Sequence, residues 1–458
     1  MLRSPLLVLF VALAVLVGEA ASAAARVVVA PEPVSPRGRI VQDLDVAVGG
    51  NRTVVLMVTY VQTGTRLRPR EHDWAVLARV GAGSRPGRLQ RLSGGGGSAG
   101  GMDVAVGGDG TAVAAWVDDN GRRVSLVRVA VAAPGRSFAP PQTIARVSTR
   151  YSHQLAGVVV TASGRAVVAW SDPEDARRAV RAAIREPGKR FGPPITLDPG
   201  RLEQPEPVVA ATPWGSVLVG WSTFPPPPTE PAVLARTLRP GAKRFGAPVT
   251  LTQPPAYFPG RLAAVSGTGG AGVTWQQQTS NDYNAAKLRM FAALTRDGRF
   301  VTGKLPFPIA ELTTGWDTLQ LALPSSGRVV AAWADMYGRG TNQQITSSTV
   351  STSTRPPGSR SFSPVRRLSA SGWIASPPAL GVLGNRTVAA WTERRQRTSR
   401  LRVAVRPDRG GWTKPQTIPG ARAASLYAAG SRQRVAIVWA QQGVSAPLGA
   451  ARLAWVTR

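Results

Sequence analysis

One phrase recurs through this chain of 458 residues and limits what it can become. At residues 104–116 it reads "VAVGGDGTAVAAW": a short run of small and apolar residues, a glycine-rich turn, then a second apolar run closed by an aromatic. Copies end at Tyr60, Trp116, Trp170, Trp221, Trp275, Trp333, Trp391 and Trp439, spaced about 54 residues apart. A repeat of that period is one supersecondary unit. Alone it cannot bury its hydrophobic faces, so it must stack on its neighbours.

Each copy reads as four short strands. In the second they are "MDVAV", "TAVAAWV", "VSLVRVAV" and "PPQTIA", separated by "GGDG", "DDNGR" and "APGRSFA". Apolar residues alternate with small or polar ones, β-branched residues are frequent, and Gly, Asn, Asp or Pro mark the breaks. Proline in the third-to-fourth connections blocks a ladder hydrogen bond and suits an outer edge strand. No segment holds a 3.6-residue period. The expectation is an all-β fold: a β-propeller of eight four-stranded blades around an axis, with the recurring aromatic wedged between neighbours. Seven blades and one degenerate module is the alternative. The eighth copy has only three strands. The segment "RVVVAPEPVSPRGRI", residues 26–40, is expected to supply the missing outer strand and close the last blade.

Two finer expectations concern the hairpins. Asn120-Gly121 favours a tight two-residue turn, because both residues tolerate positive φ. That turn sets Trp116 across from Ser125 and puts Trp116 and Arg128 on opposite faces of the sheet. A ladder of arginines runs through the third strands at Arg79, Arg128, Arg181, Arg236, Arg289, Arg402 and Arg452, broken in module six by "ITSSTV". On opposite faces, the Arg of one blade meets the Trp of the next in a cation–π contact.

Composition bears on location and partners. Residues 1–25 carry one early arginine, the apolar run "LLVLFVALAVLV" and small-residue cleavage sites, the order of an export signal. Residues 26–458 then form a single domain that is secreted to the extracellular space or the bacterial envelope. No later stretch approaches the eighteen apolar residues of a membrane span, so no membrane insertion is expected. There is no cysteine and there are two histidines, which removes disulfides and typical zinc sites. The net charge of +31 rests on 56 basic residues, of which Lys189, Lys243, Lys287, Lys304 and Lys414 are the lysines. Arginine-rich codon usage accounts for part of this. Attraction to anionic polymers is the functional reading. A monomer is expected, and nucleic acid is not the expected partner.

The module "DVAVGGDGTAVAAWVDDNGRRVSLVRVAVAAPGRSFAPPQTIA" resembles the repeats of exported actinobacterial β-propeller proteins, some of them labelled sialidase-like. The resemblance covers residues 26–458 and implies the propeller fold. It carries no sialidase chemistry. Asp109 directly precedes Gly110, so the spacing of a sialidase Asp box fails, and "GRI" at residues 38–40 lacks the proline of the sialidase arginine motif.

Ligands of such rings usually sit in the mouth of the central channel. Two sets of residues are expected there. The first lies two positions past each aromatic and includes Asp118, Asp172, Gln277, Asp335, Glu393 and Gln441. The second precedes the inner strands and includes Tyr151, His153, Tyr257, Trp316 and Trp373. Aromatic platforms beside acids and amides suit sugar rings. The competing readings are solvated strand ends for the first set and rim packing for the second. No catalytic residue is assigned. The four acids keep a glycoside hydrolase open as an alternative, because such hydrolysis needs a carboxylate pair. A basic scaffold held to the cell wall is the other alternative. Asp172, Glu174 and Asp175 group three carboxylates of the kind that hold calcium, against a solvated loop.

Overall fold

The computed structural model describes residues 26–457 apart from 66–67, 84, 94–98, 120–123, 149–154, 175–176, 200–206, 224–230, 253–256, 279–287, 301–306, 313–318, 340–343, 397, 419–420, 422 and 443–447. The described residues form strands, turns and irregular connections without a helix. None of them therefore forms a helix long and apolar enough to cross a membrane.

The strands assemble into six four-stranded sheets and one nine-stranded sheet. Module one is typical. Its strands Ile40–Gly49, Arg52–Thr65, Arg68–Ala82 and Arg88–Arg91 pair antiparallel in chain order. The nine-stranded sheet contains two such units. One begins with Gln320–Ala322 and the next with Ala379–Leu383. They are joined by Ile374–Ala375, which pairs parallel with Gln344–Arg355 and antiparallel with Arg386–Arg395. Each four-stranded unit coincides with one copy of the sequence repeat.

The last sheet draws its outer strand from the other end of the chain. Arg26–Pro33 pairs antiparallel with Leu448–Thr457, Arg26 opposite Thr457 and Pro33 opposite Arg452. Just beyond it, the Val34 N–H donates to the Ala451 carbonyl at 2.9 Å, and Ser35 Oγ accepts from the Ala451 N–H at 2.9 Å.

Apolar clusters sit between consecutive sheets. Trp116 packs against Val54, Leu56, Val58 and Val76 of module one. Trp170 packs against Val113, Val127 and Ile144 of module two, and Trp439 against Val388, Leu401 and Val403 of module seven. The seven recurring tryptophans from Trp116 to Trp439 are at most 1% exposed. Leu44, Val55 and Met57 of module one share a cluster with Val438, Leu453 and Trp455 of module eight. The first strands follow the same order: each lies beside that of the next module, and Ala423–Gly430 of module eight lies beside Ile40–Gly49 of module one.

Polar contacts reach in the opposite direction to the tryptophans. At the entrance to the second strand, the Arg52 guanidinium donates to the Gly110 and Ala133 carbonyls of module two at 2.9 and 2.7 Å. Arg165 donates to the Arg239 and Ala242 carbonyls of module four. Arg434 donates to Asn51 Oδ1 of module one at 3.0 Å. In module four a serine replaces arginine, and Ser216 Oγ donates to the Asp297 carbonyl of module five at 2.9 Å. Backbone carbonyls exposed by turns are acceptors that burial would otherwise leave unpaired. Part of the arginine content is therefore structural.

The hairpin register corrects one expectation. Trp116 pairs with Arg128, not Ser125, and Asp119 pairs with Ser125. Residues directly opposite in a ladder share a face, and a slip of three positions exchanges faces. Trp116 and Arg128 thus lie on the same face, and Asp118, two residues on, joins them. The arginine serves its own module's carboxylate rather than the tryptophan of a neighbour.

Candidate functional site

A cavity of about 910 Å³ lies at the centre of the first strands. Its described walls include Asp45, Asp103, Val158, Ala211, Ser266, Leu321, Gly381 and Ala429, one from each module's first strand. The walls continue into first-to-second turns, through Asn51, Gly108, Ala162, Pro213, Thr268, Arg432 and Gln433.

An inner strand is an edge whose outward N–H groups need acceptors. Two aspartates supply them. Asp45 Oδ2 accepts from the Val104 N–H of module two at 3.0 Å, and Asp103 Oδ2 accepts from the Val158 N–H of module three at 2.6 Å. The Asp45 and Asp103 carboxyls also hydrogen-bond one another. Burial, reinforced by the Asp103 charge, pushes Asp45 well above the usual carboxylate range. Burial raises Asp103 as well, against the N–H donors that stabilise its charge. Two adjacent carboxyls cannot both ionise cheaply, so the pair holds one proton between them. Close by, the Tyr427 hydroxyl of module eight approaches Asp43 Oδ1 at 3.5 Å. Burial raises Asp43, and burial together with the Asp43 and Asp45 charges raises Tyr427.

The sign of the pH effect follows. A raised folded-state pKa gives stability that is fully present below the unfolded carboxyl value and lost as pH rises through the folded one. Asn at position 45 mimics the protonated carboxyl toward Asp103 and keeps the acceptor for Val104, but it gives up the Val46 N–H that Asp45 Oδ1 accepts at 2.7 Å. The Tm of Asp45→Asn relative to the wild type is therefore expected to be more favourable at pH 8 than near about pH 3.5, where the unfolded carboxyl is protonated too. Calorimetry of the two proteins at both pH values measures this; the same Tm difference between them at both pH values contradicts the shared proton.

These aspartates were not among the residues expected from the sequence. Their signal is a second repetition inside the first: "DVAVGG" occurs at residues 45–50 and 103–108, each time with an acid on an inner strand.

The residues two past the aromatics do not line the described walls of the cavity. Asp118 pairs with Arg128 at 3.2 Å and Asp172 with Arg181 at 2.8 Å. Glu393 pairs with Arg400 at 2.7 Å and lies 3.7 Å from Arg402. Gln441 Oε1 accepts from Arg452 Nε at 2.8 Å. Asp335 accepts from the Trp333 indole at 2.8 Å and from Ser351 Oγ at 2.5 Å. Gln277 Oε1 accepts from the Trp275 indole at 3.3 Å. Burial raises the Asp118 pKa in spite of Arg128. At Glu393 burial acts in the same sense but is outweighed by the Ala370 N–H, the Trp391 indole and Arg400, which hold it below the usual value.

In modules two, three, six, seven and eight the residue across from the aromatic contacts the one two positions past it, Ser351 doing so for Asp335. Where the third strand places Arg across from the aromatic, in modules two, three, seven and eight, the residue two further on is Asp118, Asp172, Glu393 or Gln441. Where it places Phe291 or Leu234, the residue is Gln277 or Thr223.

Of the second set, Trp373 is half-buried and stacks under the Arg400 guanidinium, 3.8 Å from the ring centroid. Arg400 thereby joins Trp373 to Glu393. Tyr257 opens the strand Tyr257–Gly267, but its side chain lies outside the described residues. Tyr151, His153 and Trp316 also lie outside them, as do Asp175 and the Glu174 side chain of the calcium reading. Among the described residues, no three His, Asp or Glu side chains are grouped to hold a metal ion.

No family model and no curated protein matches the chain. Solved structures do. The chain is similar to a polysaccharide lyase, an ulvan lyase bound to -[GlcA(1-4)Rha3S]-, at 7% identity over 76% of this chain and 90% of that one, TM-score 0.49. It is similar to the β-propeller domain of the Trilobed protease from Pyrococcus furiosus at 10% identity, over 84% and 96%, TM-score 0.43. A third is an α-L-arabinofuranosidase from Fusarium graminearum, at 12% identity, over 78% and 92%, TM-score 0.41. Likenesses of this size transfer no residue role, and the chemistry of the site rests on its own side chains.

Proposed function

We propose that the chain is an exported, ring-shaped β-propeller of eight four-stranded blades. It works by binding rather than by catalysis, and its ligand, a carbohydrate, an envelope polymer or a protein, enters the central cavity. Residues 1–25 act as the export signal and residues 26–458 form one domain, a monomer. The ring reading is supported by the order of packing, which passes from first strand to first strand and returns from module eight to module one. It is supported too by the pairing of Arg26–Pro33 with the last sheet.

The observation that carries the binding reading is the cavity itself, about 910 Å³ and lined from every module. That volume is in the range of small-ligand sites, and its wall combines apolar faces with a few directed polar groups. Against catalysis stands the engagement of the expected acids. Asp118, Asp172 and Glu393 pair with arginines of their own modules, and Asp335 is held by Trp333 and Ser351. None is left facing another across a bond to be cleaved.

A glycan array probed with the purified protein, followed by calorimetric titration of each hit, tests the proposal. Gln433→Trp fills the mouth from an exposed position. It is expected to weaken binding at least about tenfold with an unchanged Tm. Unaltered affinity of that variant for every hit removes the cavity as the site. Hydrolysis of a bound glycan removes the non-catalytic reading.

A further inference from the structure

The end of the molecule on which the cavity wall meets the first-to-second turns also carries an ordered set of cations. In an antiparallel four-stranded sheet, the first-to-second and third-to-fourth turns share one end. Arg52 shows how near they are, since it donates to Gly110 in the first kind of turn and to Ala133 in the second. From module two to module seven, every third-to-fourth turn presents an exposed cation: Arg136, Lys189, Lys243, Arg299, Arg360 and Arg409. None of the six is ion-paired with a carboxylate among the described residues. Of the acids in the same turns, Glu186 pairs with Arg165 at 2.7 Å, Asp408 lies 3.8 Å from Arg328, and Asp297 Oδ1 accepts from the Arg299 backbone N–H at 3.0 Å.

The same face holds Trp214, in the first-to-second turn of module four beside the cavity-lining Pro213. Its side chain is 48% exposed, and Arg296 lies over the ring at 5.2 Å from the centroid. A large indole left open at the rim of a cavity, steadied by an arginine, is a stacking platform. Among the described residues it is the one exposed aromatic of that size.

We infer that this turn-bearing face docks an anionic polysaccharide, whose sulfate or carboxylate groups contact the turn cations while a sugar ring stacks on Trp214. The inference rests on the binding reading above and names the ligand class and the face. Charge complementarity selects a polyanion. Single-stranded nucleic acid is the other polyanion, but its sequence-tolerant binders stack successive bases on several aromatics, and the described residues of this face offer one exposed aromatic.

The test uses the whole exported chain with dextran sulfate, uncharged dextran and an oligothymidylate as probes, over a series of salt concentrations. Dextran sulfate is expected to bind with an affinity that falls linearly in logarithm with salt, and dextran is not. Charge reversal at three exposed positions, Lys189→Glu, Lys243→Glu and Arg299→Glu together, is expected to weaken binding at least about tenfold and flatten the salt slope. Trp214→Ala is expected to weaken binding several-fold while leaving the slope intact. Far-ultraviolet circular dichroism and Tm verify that both variants remain folded. Wild-type affinity in the charge-reversed variant overturns the inference, as does oligothymidylate binding as tightly as dextran sulfate. If uncharged glycans bind, Gln433→Trp abolishes that binding and dextran sulfate does not bind, the cavity reading stands and this inference falls. If dextran sulfate binds as expected and Gln433→Trp has no effect on it, the face is retained and the cavity loses its role.

Discussion

A chain beginning at Gly38 instead of Arg26 is expected to lose on the order of 5 kcal/mol of stability. The missing residues include the whole of Arg26–Pro33, which forms the outer ladder of the last sheet, and Val34, which is fully buried. Burying a valine contributes about 1.5–3 kcal/mol. Each backbone hydrogen bond adds about 0.5–1.5 kcal/mol net, and several are lost together. The damage also spreads, because the last sheet packs on module one through Leu453, Trp455, Leu44 and Met57. Urea denaturation of the two chains measures the difference. A synthetic peptide of residues 26–37 added in trans should restore part of it, which separates a lost strand from general misfolding. Equal midpoints for the two chains would show that the pairing contributes nothing to the seal between modules eight and one.

The second large effect is expected at the aromatic wedge. Trp391→Ala should cost about 3–5 kcal/mol, the usual range for deleting a large side chain from a core that cannot collapse around the gap. Trp391 is fully buried, and its indole donates to Glu393 Oε1 at 3.0 Å. The substitution thus removes packing and one of the donors that hold Glu393 ionised. Trp214→Ala is the matched control: the same chemical change at an exposed turn should shift stability by no more than about 0.5 kcal/mol. Thermal unfolding of both variants reads the contrast. If Trp391→Ala unfolds at the wild-type temperature, the aromatic is not what joins module seven to module six.

The architecture was written in the sequence because its cause is periodic. An aromatic every fifty-odd residues, always after the same turn and the same apolar run, leaves few folds in which every copy has an equivalent environment. The position of Trp116, Trp170 and Trp439 between sheets follows from that equivalence. The hairpin register was not legible. Asn120-Gly121 has the chemistry of a tight turn, yet Asp119 pairs with Ser125, and the wider connection brings Arg128 onto the face of Trp116 and Asp118. Local turn preference of this kind does not by itself fix the register of the strands it joins. A clue was nevertheless present: the third-strand arginine ladder breaks in module six, where Asp335 takes Ser351 instead. The Asp45–Asp103 pair was hidden for another reason. An acid inside an apolar strand looks like a solvated position until the edge N–H groups of Val104 and Val158 are seen to need acceptors.

The contacts between modules have a direction. Each recurring tryptophan from Trp116 to Trp439 reaches back to the module before it, while Arg52, Arg165, Ser216 and Arg434 reach forward to the module after. Such surfaces are heterologous, and the front of one unit fits only the rear of another. A duplicated module spliced in head-to-tail order would find both its complements, whereas one inserted in reverse would find neither. The contacts between modules are therefore of a kind that lets the number of modules change by duplication without inventing a new interface.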